Sequence, residues 1–203
     1  VVVNQVSLID RATGTGQLRR PDLIVYVNGL PLAVIELKNP ADPDASVGEA
    51  YRQLQTYKLD IPSLFVTNAL LVISDDVHAH LGSLTADLSR FGLWRTVSGE
   101  GDEPKTAQPL DVLIRGVFDK ARFLDLLHNF ITFEHDRGKV KKKIAGYHQF
   151  HAVRRAVTET RRAAAMGGDQ RIGVVWHTQG SGKSLTMVFY ARKLILEPDM
   201  ENP

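Results

Sequence analysis

The 203 residues contain no cysteine, so neither disulfides nor thiolate-ligated metals can hold this fold. That absence fits a reducing compartment, and a cytoplasmic protein is expected. No apolar run approaches the ~20 residues that would span a bilayer, and no charged segment leads into an apolar stretch at the start, so neither a membrane partner nor a signal peptide is expected. Net charge is also nearly missing, at +2, but the total hides an asymmetry. Residues 1–119 carry ten Lys and Arg against fifteen Asp and Glu, residues 120–165 carry eleven against four, and the remainder is balanced. A basic middle of this kind attracts phosphate, so nucleic acid is a candidate partner, with a solvated helix face as the alternative reading of the same lysines. The chain opens on Val1 rather than methionine and closes on Glu201-Asn202-Pro203 just after a predicted helix, so it is expected to be a piece of a longer protein.

Hydrophobic patterning predicts an α/β protein. Two β-branched runs, Leu23 to Val27 and Leu32 to Leu37, flank Asn28-Gly29, a strong hairpin signal, and both are apolar on both faces, which predicts a hairpin deep in a sheet. A loop with two prolines follows over 39–44. Ser46 and Glu49 form a capping box that opens a helix to about Lys58. Leu64 to Thr67 and Leu70 to Ser74 are predicted strands with Asn68 at a turn. Residues 99–109 are polar and rich in breakers, as in a surface loop. Helical spacing recurs over 110–118, 123–130 and 147–165, Arg171 to Trp176 reads as a buried strand, and a last helix runs to about Leu196.

Two constellations carry chemistry. The first is Pro21-Asp22 followed, after thirteen residues, by Glu36-Leu37-Lys38. Two carboxylates can hold Mg²⁺ beside a scissile phosphate, and a lysine can stabilise the developing charge. Glu36 and Lys38, two apart on a strand, share a face. Asp22 joins them only if the hairpin departs from a strict two-residue turn with regular pairing. That register would set Asp22 opposite Ile35 and point it away from Glu36, so a three-residue loop or a bulge is predicted. Gln53 and Tyr57, four apart, share one face of the capped helix.

The second constellation is the glycine loop from Thr178 through Gly180, Ser181 and Gly182 to Lys183 and Ser184, set between an apolar strand and an apolar helix. Glycines let backbone N–H groups curl around a phosphate, Lys183 neutralises it, and Ser184 can ligate Mg²⁺. The strict pattern places glycine where this chain has His177. No acidic pair follows on a second strand, so ATP binding without turnover is expected of these residues alone. His78 and His80 alternate on a predicted strand and read as surface residues rather than a zinc site.

The Asp22, Glu36 and Lys38 pattern resembles the PD-(D/E)XK nuclease core, and Gly146 to His151 resembles the Q-motif of superfamily 2 helicases. The second resemblance implies that Gln149 selects adenine and Tyr147 packs the base. Arg20-Pro-Asp-Leu, Ile35-Glu-Leu-Lys-Asn, the Gln53/Tyr57 pair, Leu126 to Glu134 and Trp176 to Lys183 together resemble the restriction subunit of type I restriction-modification enzymes.

That resemblance implies a PD-(D/E)XK-like mixed sheet flanked by helices over 1–108, a helical, basic linker over 109–144, and the start of a RecA-like helicase domain over 145–203. It further implies a type I site-specific deoxyribonuclease that uses Mg²⁺ and ATP, cuts double-stranded DNA after translocation, and works with modification and specificity subunits. Catalysis would fall to Asp22, Glu36, Lys38, Gln53 and Tyr57, with Asp22 and Glu36 as metal ligands. Nucleases of this fold often add an acidic residue from a helix ahead of the first strand, and this chain starts too late to show one. A nuclease–helicase of another repair or defence system, or a non-catalytic DNA-binding or assembly module, are the alternative readings.

Overall fold

The computed structural model describes residues 1–14, 16–39, 41, 46–198 and 200. The chain divides into two compact units. One comprises Val1–Asp119 with Thr132–Ile144, and the other Lys120–Ile131 with Ala145–Pro203.

The first unit is built on a six-stranded mixed sheet. In spatial order its strands are β1 (Val2–Asn4), β4 (Leu23–Val27), β5 (Leu30–Leu37), β6 (Leu70–Ser74), β7 (Ala79–Gly82) and β8 (Gly92–Leu93). A separate small pair, β2 (Leu8–Ile9) and β3 (Leu18–Arg19), precedes β4. β5 and β6 run parallel and the other pairs in the large sheet antiparallel. Parallel neighbours need a crossover, supplied by helix α1 (Val47–Asp60), whose Ser46 cap accepts the Glu49 N–H at 3.2 Å. α1 buries Ala50, Leu54 and Tyr57 against Ile24, Val34, Leu71 and Ile73. The opposite face is buried as well, since Ala33, Ile35 and Val72 are at most 2% exposed. A hairpin apolar on both faces therefore lies within the sheet, as its composition predicts.

Helix α2 (Pro109–Val117) contacts β7 and inserts Val112, Leu113 and Val117 into the core. Gly116 permits the close approach of Trp94, because a Cβ there would lie 2.3 Å from the indole nitrogen.

Three expectations are corrected. Leu64 to Thr67 is not a strand. Pro62–Phe65 is a 3-10 turn, started by a proline whose φ suits a first helical position, and it sinks Leu64 and Phe65 into the core. The expected linker over 109–144 is not helical throughout: after α2 and α3 (Lys120–Asn129), β9 (Ile131–Asp136) and β10 (Lys139–Ile144) form a hairpin around Arg137 and Gly138, both at positive φ. The hairpin is tied to the first unit by Ser83 Oγ, which donates to the Lys142 carbonyl at 2.5 Å, and by the Lys142 N–H, which donates to Thr85 Oγ1 at 2.8 Å. The expected proline loop over 39–44 falls mostly outside the described residues.

In the second unit α3, α4 (Tyr147–Ala164) and α5 (Lys183–Ile195) pack around Phe130, Phe150 and Phe189, whose ring centroids are 4.7 and 5.6 Å apart. The half-buried Asp125 joins the helices by accepting from Lys193 at 2.7 Å, with Arg154 at 3.4 Å. The expected buried strand over 171–176 is the third correction. Those residues are irregular, with Gly173 at φ 87°, and pair with no strand among the described residues, and Val174 and Trp176 are 89% and 88% exposed. An apolar run becomes a strand only where a neighbour takes up its backbone hydrogen bonds. Among the described residues no helix is long and apolar enough to cross a membrane.

Candidate active site and phosphate loop

The β4–β5 hairpin decides whether the carboxylates can meet. Its turn is a two-residue one, with Asn28 at φ 49° and Gly29 at φ 81°. Next to the turn Val27 pairs with Leu30 and Tyr26 with Pro31, but from Val25 onward the partners are Ala33, Val34 and Ile35. Leu32 is thus an extra residue on β5, a bulge that shifts the parity by one. Two carbonyls of the bulge are held from outside the hairpin: Thr67 Oγ1 donates to Pro31 O at 3.1 Å and the Ala69 N–H to Leu32 O at 2.7 Å. Proline fits here because its missing N–H falls where ladder pairing is broken. The shift predicted from the sequence is therefore present. Continued by one residue, the register sets Asp22 opposite Glu36 on the α1 face, and the Leu37 N–H donates to Asp22 Oδ2 at 2.8 Å.

Glu36 is 2% exposed, which dismisses a solvated surface pair with Lys38. Its Oε1 lies 3.4 Å from Lys38 Nζ, while Oε2 is buried without a hydrogen-bond partner. Burial and then the neighbouring charge of Asp22 push the Glu36 carboxyl up to about 7, against the offsetting pull of Lys38 and the Tyr57 hydroxyl. Lys38 Nζ also donates to Gln53 Oε1. Gln53 Nε2 donates to the Tyr57 hydroxyl at 2.6 Å, and that hydroxyl donates to Arg20 O at 3.3 Å, two residues before Asp22. Burial pushes the Tyr57 hydroxyl up to about 12, so it stays a proton donor. All five residues singled out on the sequence thus belong to one constellation. Pattern reasoning missed the Arg20 carbonyl and the Thr67 and Ala69 brackets on the bulge, because backbone acceptors and loop contacts leave no spacing signature.

The donor set suits a hard divalent cation. It offers carboxylate oxygens from adjacent strands, one of them buried and lacking any partner, which is costly unless a proton or metal satisfies it. Among the described residues no group of three or more His, Cys, Asp or Glu side chains gathers as a metal site. His78 meets Asp75 at 3.2 Å, and His80 Nδ1 meets Phe91 O at 3.1 Å.

In the second unit, Gly180 and Gly182 hold φ of 80° and 83°, which lets the loop curl before α5 starts at Lys183. Lys183 Nζ donates to the His177 and Thr178 carbonyls at 2.8 and 3.1 Å, and Ser181 Oγ to Thr178 O at 2.8 Å. Gln149, expected to read a base, is 4% exposed, and both ends of its amide are engaged: Oε1 accepts from the Gly146 N–H at 2.9 Å and Nε2 donates to Gly182 O at 3.0 Å. Tyr147 stands edge-on to His148, with centroids 5.5 Å apart. A cavity of about 310 Å³ beside Lys183, lined by Ile172, Val175, Thr186 and Tyr190 among others, includes neither Tyr147 nor Gln149.

Comparison with known proteins places both regions. The family model described as type I restriction enzyme R protein N terminus matches residues 1–90, and that of SWI2/SNF2 ATPase matches residues 148–203. The type I restriction enzyme HindI endonuclease subunit of Haemophilus influenzae is 46% identical over 206 residues, covering 100% of this chain and 19% of that protein. The putative type I restriction enzyme MjaIXP endonuclease subunit of Methanocaldococcus jannaschii is 37% identical, covering 93% of this chain and 19% of that protein. A type I restriction enzyme endonuclease subunit of Staphylococcus aureus, SauCOLORF180P, is 26% identical over 98% of this chain. The chain thus spans about a fifth of the length of these relatives, 19% in each case.

Proposed function

Because the chain belongs to the type I restriction enzyme R-protein family, we propose that it carries a Mg²⁺-dependent nuclease site of PD-(D/E)XK type at Asp22, Glu36 and Lys38, and an ATP-binding loop at Thr178 to Ser184 that opens a RecA-like motor. In this reading the whole protein cuts double-stranded DNA after ATP-driven translocation, alongside modification and specificity subunits in the cytoplasm. The observation that carries the nuclease reading is the Leu32 bulge, which turns Asp22 to the face of a buried Glu36 whose Oε2 has no partner.

Asp22 and Glu36 would hold the metal. Mg²⁺ bound there supplies charge stabilisation at a phosphate and acidifies water. Lys38, half-buried beside Glu36, stabilises negative charge that develops on the phosphate. Gln53 positions Lys38 by accepting from its ammonium, and Tyr57 braces Gln53 from the core and ties it to the strand that delivers Asp22. In the second unit Lys183 and the loop N–H groups would hold ATP phosphates, with Ser184 near the magnesium that accompanies them.

Replacing Lys38 by alanine in the assembled enzyme should lower the rate of DNA cleavage about a hundredfold or more while leaving ATP hydrolysis within about twofold, because the charge acts only at the scissile phosphate. An unchanged cleavage rate would contradict the assignment.

A further inference from the structure

We infer that His148 and Gln149 together form a clasp that sets the phosphate loop for anion binding, and that this pair positions the loop rather than reading the base. The inference rests on the nucleotide-loop reading above and adds to it two positioning residues on α4.

His148 Nε2 lies 3.1 Å from Ser181 O, and Gln149 Nε2 lies 3.0 Å from Gly182 O. Both acceptors are carbonyls, so both nitrogens carry the proton. The orientation of the Gln149 amide is fixed independently, since its Oε1 accepts from the Gly146 N–H, which can only donate. Ser181 O and Gly182 O belong to consecutive peptide units. In a trans peptide the carbonyl and the following N–H point in opposite directions. The Ser181 carbonyl, held by His148, therefore aims the Gly182 N–H away from α4, while the Gly182 carbonyl also accepts the Leu185 and Thr186 N–H groups of α5 at 3.0 and 3.1 Å, so Gln149 reinforces a direction the helix start already gives the Lys183 N–H.

The fit is tight and braced. A Cβ on Gly182 would stand 2.8 Å from Gln149 Nε2 and the residue holds φ 83°, so a side chain there would push the amide back and strain the loop. The His148 ring is held edge-on by Tyr147 and by His177, at centroid distances of 5.5 and 5.3 Å. His177, which departs from the usual loop pattern, thus supports the clasp. A base-reading Gln149 would have its amide edge directed into open space, and here it is buried.

The test uses the full-length protein, with fluorescent ATP and GTP analogues and inorganic triphosphate as ligands. His148→Ala and Gln149→Ala should each weaken all three by a similar factor of about five- to tenfold, the loss of one hydrogen bond that orders the loop. The ratio of ATP to GTP affinity should not change. His148→Asn, which keeps a donor, should restore part of the loss, and unchanged circular dichroism would show that the variants remain folded. Loss of ATP affinity alone in Gln149→Ala would show that Gln149 reads adenine and would overturn the clasp. Unaltered affinities in His148→Ala would do the same. A wild-type protein that binds none of the ligands, or a Lys183→Ala variant that binds them undiminished, would instead defeat the nucleotide-loop reading, and the clasp with it.

Discussion

Glu36 concentrates the chemistry of the first unit in a single side chain. Its carboxyl titrates near 7 when folded and near the ordinary 4.5 when unfolded, so between those values the folded state holds the extra proton. Its contribution to stability is thus full below about pH 4.5 and is lost as pH rises through 7, a difference of about 3 kcal/mol across the window. Without divalent ions, Glu36→Gln should match the wild type in melting temperature at pH 5 and exceed it at pH 8, because the amide resembles the protonated acid and never ionises. Identical pH profiles for the two proteins would show that Glu36 carries no such strain. Burial of an ionisable group in this way is what a metal-binding residue costs a fold when the metal is away. The Lys38, Gln53 and Tyr57 chain beside it was legible as residue types at fixed spacings. Its hydrogen bonds were not, since spacing places side chains on a face without saying what they touch.

At the scale of elements, one hairpin does most of the positioning. Asn28-Gly29 announces the turn, and two carboxylates on neighbouring strands can share an ion only if the pairing parity shifts, so the shift was deducible from the chemistry, while its form, a bulge rather than a three-residue loop, was not. Its place at Leu32 depends on acceptors used by Thr67 and Ala69, which lie far along the chain. Thr67→Val should therefore lower stability by about 1 kcal/mol, the usual worth of one such bond, and loosen the carboxylate register, so that cleavage falls more than the stability loss alone explains. Gly29→Ala should also cost about 1 kcal/mol, wholly through the strained backbone, because nothing lies within 4 Å of the added Cβ. Denaturant unfolding measures both, and a Gly29→Ala variant as stable as the wild type would contradict the positive φ of Gly29 in the turn.

Other elements were misread for physical reasons. Leu64 and Phe65 are apolar whether in a strand or a turn, and only Pro62 argued for the turn. In β9 and β10 the run of lysines masked a hairpin whose Arg137-Gly138 turn has the same two positive φ values as Asn28-Gly29. The apolar run 171–176 has strand composition, but composition does not supply a pairing neighbour.

Across the whole molecule, hydrophobic patterning gave the α/β class, and charge counting located the basic middle without saying which of its cations meet acids. Many cations of residues 120–165 lie against acids: Lys141 with Asp136, Lys143 with Glu134, Arg154 with Asp125, and Arg162 with Glu159 and Asp169. These pairs leave most of the eleven Lys and Arg of the stretch outside them, so its net positive charge stands. The two units each hold a complete local arrangement, a carboxylate pair with its lysine in one and a glycine loop with its clasp in the other. The proposed nuclease site of the first requires the pair of carboxylates from adjacent strands to bind one divalent cation. Calorimetric titration of Mn²⁺ into the wild type, Asp22→Ala and Glu36→Gln at pH 8 tests it most directly. Saturable binding in the wild type that is lost in both variants is the predicted result, and wild-type heat no greater than that of the variants would contradict it.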